Sequence, residues 1–328
     1  MNPIANTARP DLSTGYQCPA CGTQLESGSG DELTCPSGHR FPVIGGIPRF
    51  VSDAAYTGSF GRQWNRWSTT QLDSHNGTTI FRERFRRYLD RPESLAGLRV
   101  LDSGCGAGAF IDVVAPHAGE VFGIDLSDAV EAAHRNSARF GNVQIAQADI
   151  FSPPFPHESF DFVYCIGVLQ HTPDPRRAFA ALARLVKPGG RLGVWIYERS
   201  PWEPLKPRHL LRTYTTRLEP DRAMRFVESY APRARQLRRR LGRLPGGRIL
   251  RRTVPVADVD DYVGADAAPL SRDAREEWCV MDTHDMLVTT YDNPQRPETV
   301  AAWFRAEGFE EPTRGRSEGV AMLAQRSA

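Results

Sequence analysis

The sequence predicts an α/β protein built on a mostly parallel sheet, and three observations lead to this expectation. Strand-like and helix-like patterns alternate between residues 96 and 197. One predicted strand runs directly into a glycine-rich turn at residues 104–108, which a helical pattern follows. The next strand ends at Asp125, and Asp149 follows the strand after it by two residues. Alternation at this spacing is typical of a parallel sheet covered by helices.

The apolar periodicity assigns the individual elements. Strands are predicted at Arg99–Asp102, Glu120–Asp125, Val143–Gln147, Phe160–Cys165 and Gly190–Tyr197. Helices are predicted between them near Ala109–His117, Ala129–Phe140 and Arg176–Val186. The pattern resumes with a helix at Pro297–Glu307 and two strands at Phe309–Arg314 and Gly319–Gln325. One or two helices are expected over residues 56–93, and further helices over residues 200–260.

These elements divide the chain into five predicted segments. They are a cysteine-bearing segment (1–55), N-terminal cap helices (56–95), the central core (96–199), a helical insertion or lid (200–295), and the last helix and strand pair (296–328). The first segment is too small to form a hydrophobic core of its own.

Length and composition indicate a globular protein. The chain has 328 residues, of which 40% are hydrophobic and 24% charged, enough for one large domain and a small one. Residues Met1 to Ser13 lack the apolar stretch of a signal peptide, and no apolar run approaches the length that spans a bilayer. We therefore expect a cytoplasmic protein.

Charge is distributed unevenly along the chain. The net charge is +2, yet residues 206–252 contain 15 Lys and Arg against 3 Asp and Glu. Such asymmetry indicates an anionic partner. The preference for arginine is equally consistent with a genome rich in G and C, so both explanations stay open.

The segment from Asp102 to Phe110 contains the glycine turn. Gly104, Gly106 and Ala109 also fit a dinucleotide-binding fingerprint, so the turn alone leaves a nicotinamide cofactor open. Asp102 lies where it would face a cationic amino-acid group and would repel a pyrophosphate. Asp125 follows Gly104 by 21 residues, a distance that suits an acceptor for ribose hydroxyls.

Together these motifs resemble class I S-adenosylmethionine-dependent methyltransferases. Residues 160–175 and 185–192 resemble the fourth strand segment of that family and its following helix-to-strand turn. The resemblance implies a Rossmann-like, seven-stranded mixed sheet with strand order 3-2-1-4-5-7-6. It also implies the residues that bind S-adenosylmethionine, with Asp125 on the ribose and Asp149 and Ile150 on the adenine. The full set of candidates is Asp102, Gly104, Gly106, Gly108, Asp125, Leu126, Asp149, Ile150 and Ile166.

A metal site is predicted near the N-terminus. Cys18 and Cys21 form a C-x-x-C pair, and Cys35 is followed by His39. This spacing suits four ligands of a structural zinc ion, with three free cysteines as the alternative. The segment resembles the zinc finger of ribosomal RNA guanine methyltransferases. Residues 41–48 resemble the methyltransferase-activator ribbon, and residues 59–67 extend the match to bacterial methyltransferases fused to such a ribbon.

Several polar residues are candidates for catalysis or substrate binding. His171 follows the fourth strand and is a candidate general base, although it could equally cap a helix or pack locally. His284, with Asp285 or Asp282, is a second candidate, with surface-loop residues as the alternative. Candidate substrate contacts are Gln63, Trp64, Tyr197 and Tyr291.

The function expected from this sequence is methylation of a small molecule, such as a natural product, sugar or glycan precursor. An RNA methyltransferase that grips phosphates through residues 206–252 is the main alternative. Attachment of a basic helix to a membrane surface, a non-catalytic subunit, and other S-adenosylmethionine chemistry also remain open. The sequence does not determine the acceptor atom or the oligomeric state.

Overall fold

The computed structural model describes residues 15–28, 31–51, 58–263 and 269–328. The polar segment Met1 to Ser13 and the predicted boundary at residue 55 lie outside these ranges. Within them, no helix combines the length and the apolar character that crossing a membrane requires.

A seven-stranded sheet forms the centre of the molecule. Its strands are β5 (Arg99–Ser103), β6 (Glu120–Asp125), β7 (Val143–Gln147), β8 (Phe160–Ile166), β9 (Val186–Ile196), β10 (Thr313–Arg314) and β11 (Val320–Gln325). They lie in the order β7-β6-β5-β8-β9-β11-β10. The first five strands pair in parallel and β11 pairs antiparallel with β9. This order is 3-2-1-4-5-7-6 when the strands are counted along the chain, which confirms the predicted fold class.

Both faces of this sheet are buried, as the apolar strands require. Val100 of β5 and Phe162 of β8 belong to one core cluster, whereas Leu101 and Val163 belong to the other. Successive side chains of a strand point to opposite faces, so continuous apolar strands supply both clusters.

Helices cover the two faces. They are α1 (Gly58–Arg66), α2 (Asp73–Asn76), α3 (Ile80–Tyr88), α4 (Ala109–Val114), α5 (Val130–Ser137), α6 (Pro175–Ala183), α7 (Arg208–Thr215), α8 (Pro220–Leu241), α9 (Gly247–Leu250), α10 (Arg272–Val288) and α11 (Pro297–Ala306). Residues of α3, α4, α8 and α10 join the first core cluster, and residues of α6 and α11 join the second.

The structure corrects several predicted elements. Residues 58–88 form three helices rather than one or two. β9 begins at Val186 instead of Gly190, because its first residue already pairs with Phe160 of β8. β10 is limited to Thr313–Arg314, where the last hairpin pairs. The polar segment 281–286 lies within α10 and His284 is buried, so the surface-loop alternative is wrong.

The N-terminal segment forms a separate four-stranded antiparallel sheet. Its strands are β1 (Glu26–Ser27), β2 (Glu32–Thr34), β3 (Arg40–Ile44) and β4 (Ile47–Pro48). Its chain continues beside β7, where the Phe50 amide donates to the Gln147 carbonyl at 2.8 Å. Tyr16 packs with Phe50, Phe122 and Phe155, so the core of the large sheet supplies the apolar contacts that the small sheet lacks.

Candidate active site

The glycine turn lies at the carboxyl end of β5 and shapes a cleft, which we call the cofactor cleft. Its lining includes Gly104, Gly106, Asp125, Leu126, Ile150 and Ile166. Gly104, Gly106 and Gly108 all adopt positive φ, which residues with a Cβ rarely adopt. A Cβ on Gly104 would lie 2.3 Å from the Val168 side chain. The backbone thus approaches the cleft without side chains in the way.

Asp125 holds this turn in place. Its Oδ2 accepts a hydrogen bond from the Gly106 amide at 3.0 Å, and its Oδ1 accepts from the amide and hydroxyl of Ser127. Asp125 also lines the cleft at the end of β6. Each carboxylate oxygen can accept more than one hydrogen bond, so acceptor capacity remains for hydroxyl groups of a ligand.

Three predicted cofactor residues do not lie on the cleft wall. Asp102 is only 2% exposed, and its Oδ2 has no hydrogen-bond partner among the residues that the structure describes. Burial, assisted by the nearby Asp125 charge, raises the pKa of Asp102 to about 8. Gly108 begins α4 and would place a Cβ 3.5 Å from Ala133. Asp149 uses Oδ1 to accept from the Phe151 amide at 2.9 Å, and Ala148 and Ile150 line the cleft beside it.

A second cavity adjoins the cofactor cleft, and we call it the second chamber. Its lining includes Trp64, Phe81, Arg84, Trp195, Tyr197 and Tyr262. Ile166, Gly167 and Asp285 line both cavities, so the two spaces meet there. The aromatic walls come from α1, α3 and β9, and the insertion supplies Tyr262 and the residues of α10.

His171 and Asp285 form a buried pair at this junction. His171 Nε2 lies 3.6 Å from Asp285 Oδ2, and the Tyr197 hydroxyl donates to the same oxygen at 2.6 Å. His171 Nδ1 lies 3.0 Å from the carbonyl oxygen of Tyr291, which only accepts, so we assign a proton to Nδ1. Tyr291 therefore contributes its backbone, and its side chain lines neither cavity.

The charge of Asp285 controls the protonation of His171. Burial by itself lowers the pKa of His171, but the charge and hydrogen bond of Asp285, with smaller contributions from the Tyr291 backbone and the Asp292 charge, together raise the pKa above its ordinary value. Burial by itself raises the pKa of Asp285, yet the His171 charge and the Tyr197 hydrogen bond lower the pKa overall. The pair is therefore stabilised as an imidazolium and a carboxylate.

His284 contacts Gln63 and not, as the sequence predicted, Asp285. Its Nδ1 lies 2.9 Å from Gln63 Oε1, and Gln63 Nε2 donates to the Met281 carbonyl at 3.4 Å. Burial lowers the pKa of His284 to about 4, so the ring is neutral at pH 7. His284 lines neither cavity, whereas Gln63 lines the second chamber.

Several lining residues carried no recognisable signal in the sequence. Gln71 and Phe81 line the cofactor cleft, and Arg84 lines the second chamber. Arg84 stacks on Phe81 and Tyr262, with its guanidinium carbon 5.3 and 5.0 Å from the ring centroids. Aromatic residues on a helix also serve core packing, and Arg84 stands among other arginines in α3. The sequence offered no basis for choosing these residues.

The four predicted metal ligands converge in the small sheet. Cys18, Cys21, Cys35 and His39 place their ligand atoms within 4.8 Å of one another. The Cys21 and Cys35 sulfurs are 3.6 Å apart, and His39 Nδ1 lies 3.5 and 3.3 Å from the Cys18 and Cys35 sulfurs. A zinc tetrahedron has edges of about 3.8 Å between sulfurs and about 3.6 Å between sulfur and nitrogen. The group therefore fits Zn²⁺ with a closed shell, as expected for a structural ion.

Comparison with known proteins supports the class of domain. Residues 101–194 match the family described as a methyltransferase domain. The ubiquinone biosynthesis O-methyltransferase of Thiobacillus denitrificans is 36% identical over 149 residues, which cover 44% of this chain and 62% of that protein. The enzyme of that name from Saccharophagus degradans is 38% identical over 118 residues, covering 35% and 50%. The chain thus spans between 50% and 62% of the length of these relatives.

A solved structure of an S-adenosylmethionine-dependent methyltransferase from Mesorhizobium loti is 30% identical. It covers 32% of this chain and 49% of its own chain, with a TM-score of 0.30. The family match over residues 101–194 and the order of the seven strands identify a class I methyltransferase domain in this part of the chain. S-adenosylmethionine is the cofactor of this family.

The residues of the cofactor cleft fit that cofactor. Asp125 offers acceptors for two ribose hydroxyls, and Leu126, Ala148 and Ile150 offer an apolar surface for the adenine ring. The glycine turn lets the backbone approach the ligand closely. The individual contacts of the predicted cofactor residues stay predictions.

Replacing Asp125 should weaken cofactor binding. We expect Asp125→Asn to raise the Kd for S-adenosylmethionine about tenfold to a hundredfold, because charge-assisted hydrogen bonds to the ribose are lost. Isothermal titration calorimetry measures this directly. Asp128→Asn is the matched control. Asp128 lies in the turn after β6 but does not line the cleft, so this change should leave the Kd unchanged. Equal affinities for wild type and Asp125→Asn would refute the assignment.

The metal site also makes a definite prediction. Purified protein should contain one zinc ion per chain by plasma mass spectrometry. Cys21→Ser should lose the zinc ion and lower the thermal midpoint, because the small sheet loses the bonds that hold it together. Cys279→Ala, a buried cysteine of α10 outside the cluster, should keep the metal. Absence of zinc from both wild type and control would show that no metal binds here.

Proposed function

We propose that this protein transfers a methyl group from S-adenosylmethionine to a hydroxyl group of a small molecule held in the second chamber. The observation that carries the proposal is the junction at Ile166, Gly167 and Asp285. There the chamber opens into the cofactor cleft next to His171, whose neutral form can accept a proton. The names of the O-methyltransferase relatives support a hydroxyl acceptor.

The chemistry needs a base and accurate positioning. When bound, S-adenosylmethionine supplies an electrophilic methyl group, and the acceptor oxygen must lose its proton as it takes that methyl. Neutral His171 carries its proton on Nδ1, facing the Tyr291 carbonyl, so Nε2 is free to take the acceptor proton. Asp285 then stabilises the imidazolium that forms. Tyr197 fixes the Asp285 carboxylate through its hydrogen bond.

The walls of the second chamber favour a small acceptor over RNA. They surround a concave cavity in which aromatic rings alternate with charged side chains of both signs, such as Arg84 and Asp282, and a concave cavity suits a small molecule. Several arginines of residues 206–252 are also paired with acids of the chain itself. Arg235 contacts Asp258 and Asp260, and Arg238 contacts Asp261. These arginines are less available for phosphates than their number suggests.

Transfer of label tests the proposal. Purified protein, methyl-labelled S-adenosylmethionine and an extract of the source organism should give label in the small-molecule fraction, with S-adenosylhomocysteine as the coproduct. The Asp125→Asn variant at limiting cofactor serves as control and should give much less. Label in an RNase-sensitive fraction would identify an RNA methyltransferase instead. Methylthioadenosine as the coproduct would indicate other chemistry on this cofactor.

The dependence of rate on pH tests the role of His171. With the acceptor identified by that experiment, kcat/KM should rise with pH, with a midpoint above the ordinary histidine value of about 6.5. The neutral ring is the base. Asp285 raises the pKa of His171, so the ring becomes neutral only at a higher pH. His171→Ala should lower kcat by about a hundredfold or more.

Two variants separate the charge of Asp285 from its hydrogen bond. Asp285→Asn should move the midpoint to lower pH, because the charge that favours the imidazolium is removed. Tyr197→Phe removes a hydrogen bond and keeps that charge, so its midpoint should stay above about 6.5. A flat pH profile in wild type, or the same midpoint in Asp285→Asn, would contradict the proposed base.

A further inference from the structure

Large apolar side chains are exposed almost entirely in one part of the described chain. Eight of the nine most exposed lie between residues 202 and 250, so the exposure belongs to the insertion and not to the surface in general. They are Trp202, Leu205, Leu210, Tyr214, Leu237, Leu244, Ile249 and Leu250. The ninth, Ile44, lies in β3 of the small sheet.

We call the surface of the insertion that carries these eight side chains the apolar face, and a continuous strip of it runs across α7 and α8. Leu210 and Tyr214 are one turn apart on α7. The Tyr214 ring lies 5.9 Å from the ring of Phe226 on α8, and Phe226 stacks on Tyr230 at 5.5 Å. A shallow groove then continues from Phe226 and Tyr230 along α8 to Leu237.

Positive charge without carboxylate partners surrounds the apolar face. In the described chain, eight arginines from residue 217 to residue 252 form no ion pair with an acidic side chain. They are Arg217, Arg222, Arg225, Arg233, Arg240, Arg243, Arg248 and Arg252. The acids of α8 do not offset them, because Asp221 pairs with Arg62 and Glu228 pairs with Arg66. Arg233 lines the apolar groove itself.

We propose that the apolar face attaches this protein to the surface of an anionic lipid bilayer. A basic surface that also presents bulky apolar side chains is suited to the boundary between headgroups and acyl chains. The leucines and the isoleucine enter that boundary, and the arginines contact lipid phosphates. An RNA partner would match the charge and could stack on Trp202 and Tyr214, but the other six exposed side chains are aliphatic and offer no rings on which bases could stack.

The position of the apolar face links attachment to the second chamber. Lys206 and Arg208 line that chamber, and the exposed Leu205 and Leu210 flank them in the chain. The rim of the chamber thus lies beside the residues that enter the bilayer. A lipophilic acceptor could pass from the membrane into the chamber, and this last step alone rests on the proposed function.

Vesicle sedimentation with the full chain tests the attachment. We expect the protein to sediment with vesicles of phosphatidylglycerol and phosphatidylcholine in equal parts and to stay in solution with phosphatidylcholine alone. Binding should weaken as salt is added. Leu210→Glu with Ile249→Glu, and separately Arg233→Glu with Arg240→Glu, should each lower the partition coefficient about tenfold or more.

Matched controls separate attachment from folding and from catalysis. Ile44→Glu places the same change on an exposed isoleucine outside the apolar face, and Arg184→Glu changes an exposed arginine at the end of α6. Both should sediment as wild type does. All variants should keep the wild-type thermal midpoint and affinity for S-adenosylmethionine, so the result does not depend on methyl transfer.

Four outcomes would overturn the proposal. One is no sedimentation with anionic vesicles, and another is equal sedimentation with neutral ones. The third is a wild-type dimer in light scattering that Leu210→Glu with Ile249→Glu converts to monomer, which would assign the apolar face to a second copy of the chain. Tight RNA binding lost in Arg233→Glu with Arg240→Glu, without vesicle binding, would assign the charge to nucleic acid.

Discussion

The cofactor cleft depends on the contact between the glycine turn and the end of β6. The amides of Gly104 and Cys105 donate to the Ile124 carbonyl at 2.7 and 2.9 Å, and the Gly106 amide donates to Asp125. These bonds hold a backbone in which Gly104 and Gly106 adopt positive φ angles. The same Asp125 carboxylate lines the cleft, so the group that orders the turn also faces the ligand. Any change there alters the turn and the binding surface together.

A second set of contacts connects the covering helices to this turn. Trp64 of α1 packs so closely that a Cβ on Gly106 would lie 3.2 Å from its ring. Asp285 of α10 reaches His171, which follows β8. The base and the charge that tunes it therefore come from different layers of the molecule. Displacement of α10 would change both the shape of the junction and the pKa of His171, so the position of α10 and proton transfer are physically coupled.

Local patterns in the sequence were sufficient to predict the sheet and the positions of its glycine turn and metal ligands. Parallel strands buried on both faces form short, continuous apolar runs, and the bounds of β6 and β7 were predicted to the residue. Close spacing in the chain likewise predicted that Cys18, Cys21, Cys35 and His39 converge. Strand bounds were less accurate for β9, because the partner strand and not the local sequence decides where pairing begins.

Contacts between residues far apart in the chain could not be predicted from the sequence. Helices α6 to α9 separate His171 from Asp285, which lies in α10. No local pattern favoured Asp285 over Asp282, or His284 over His171. The pairing of Arg235 with Asp258 and Asp260 was equally invisible, so a count of charges overestimated the free positive charge of the insertion. The exposed apolar face emerged only from the structure. Helical periodicity indicates which positions share a face of a helix, but it does not indicate whether another element covers that face.

The proposed reaction requires that the methyl donor faces the junction between the two cavities. A crystal structure with bound S-adenosylhomocysteine tests this requirement most directly. We expect ribose hydroxyls hydrogen-bonded to Asp125, adenine against Leu126 and Ile150, and the sulfur directed toward the junction at Ile166 and Asp285. A ligand whose sulfur points away from the second chamber, or whose ribose does not contact Asp125, would contradict it.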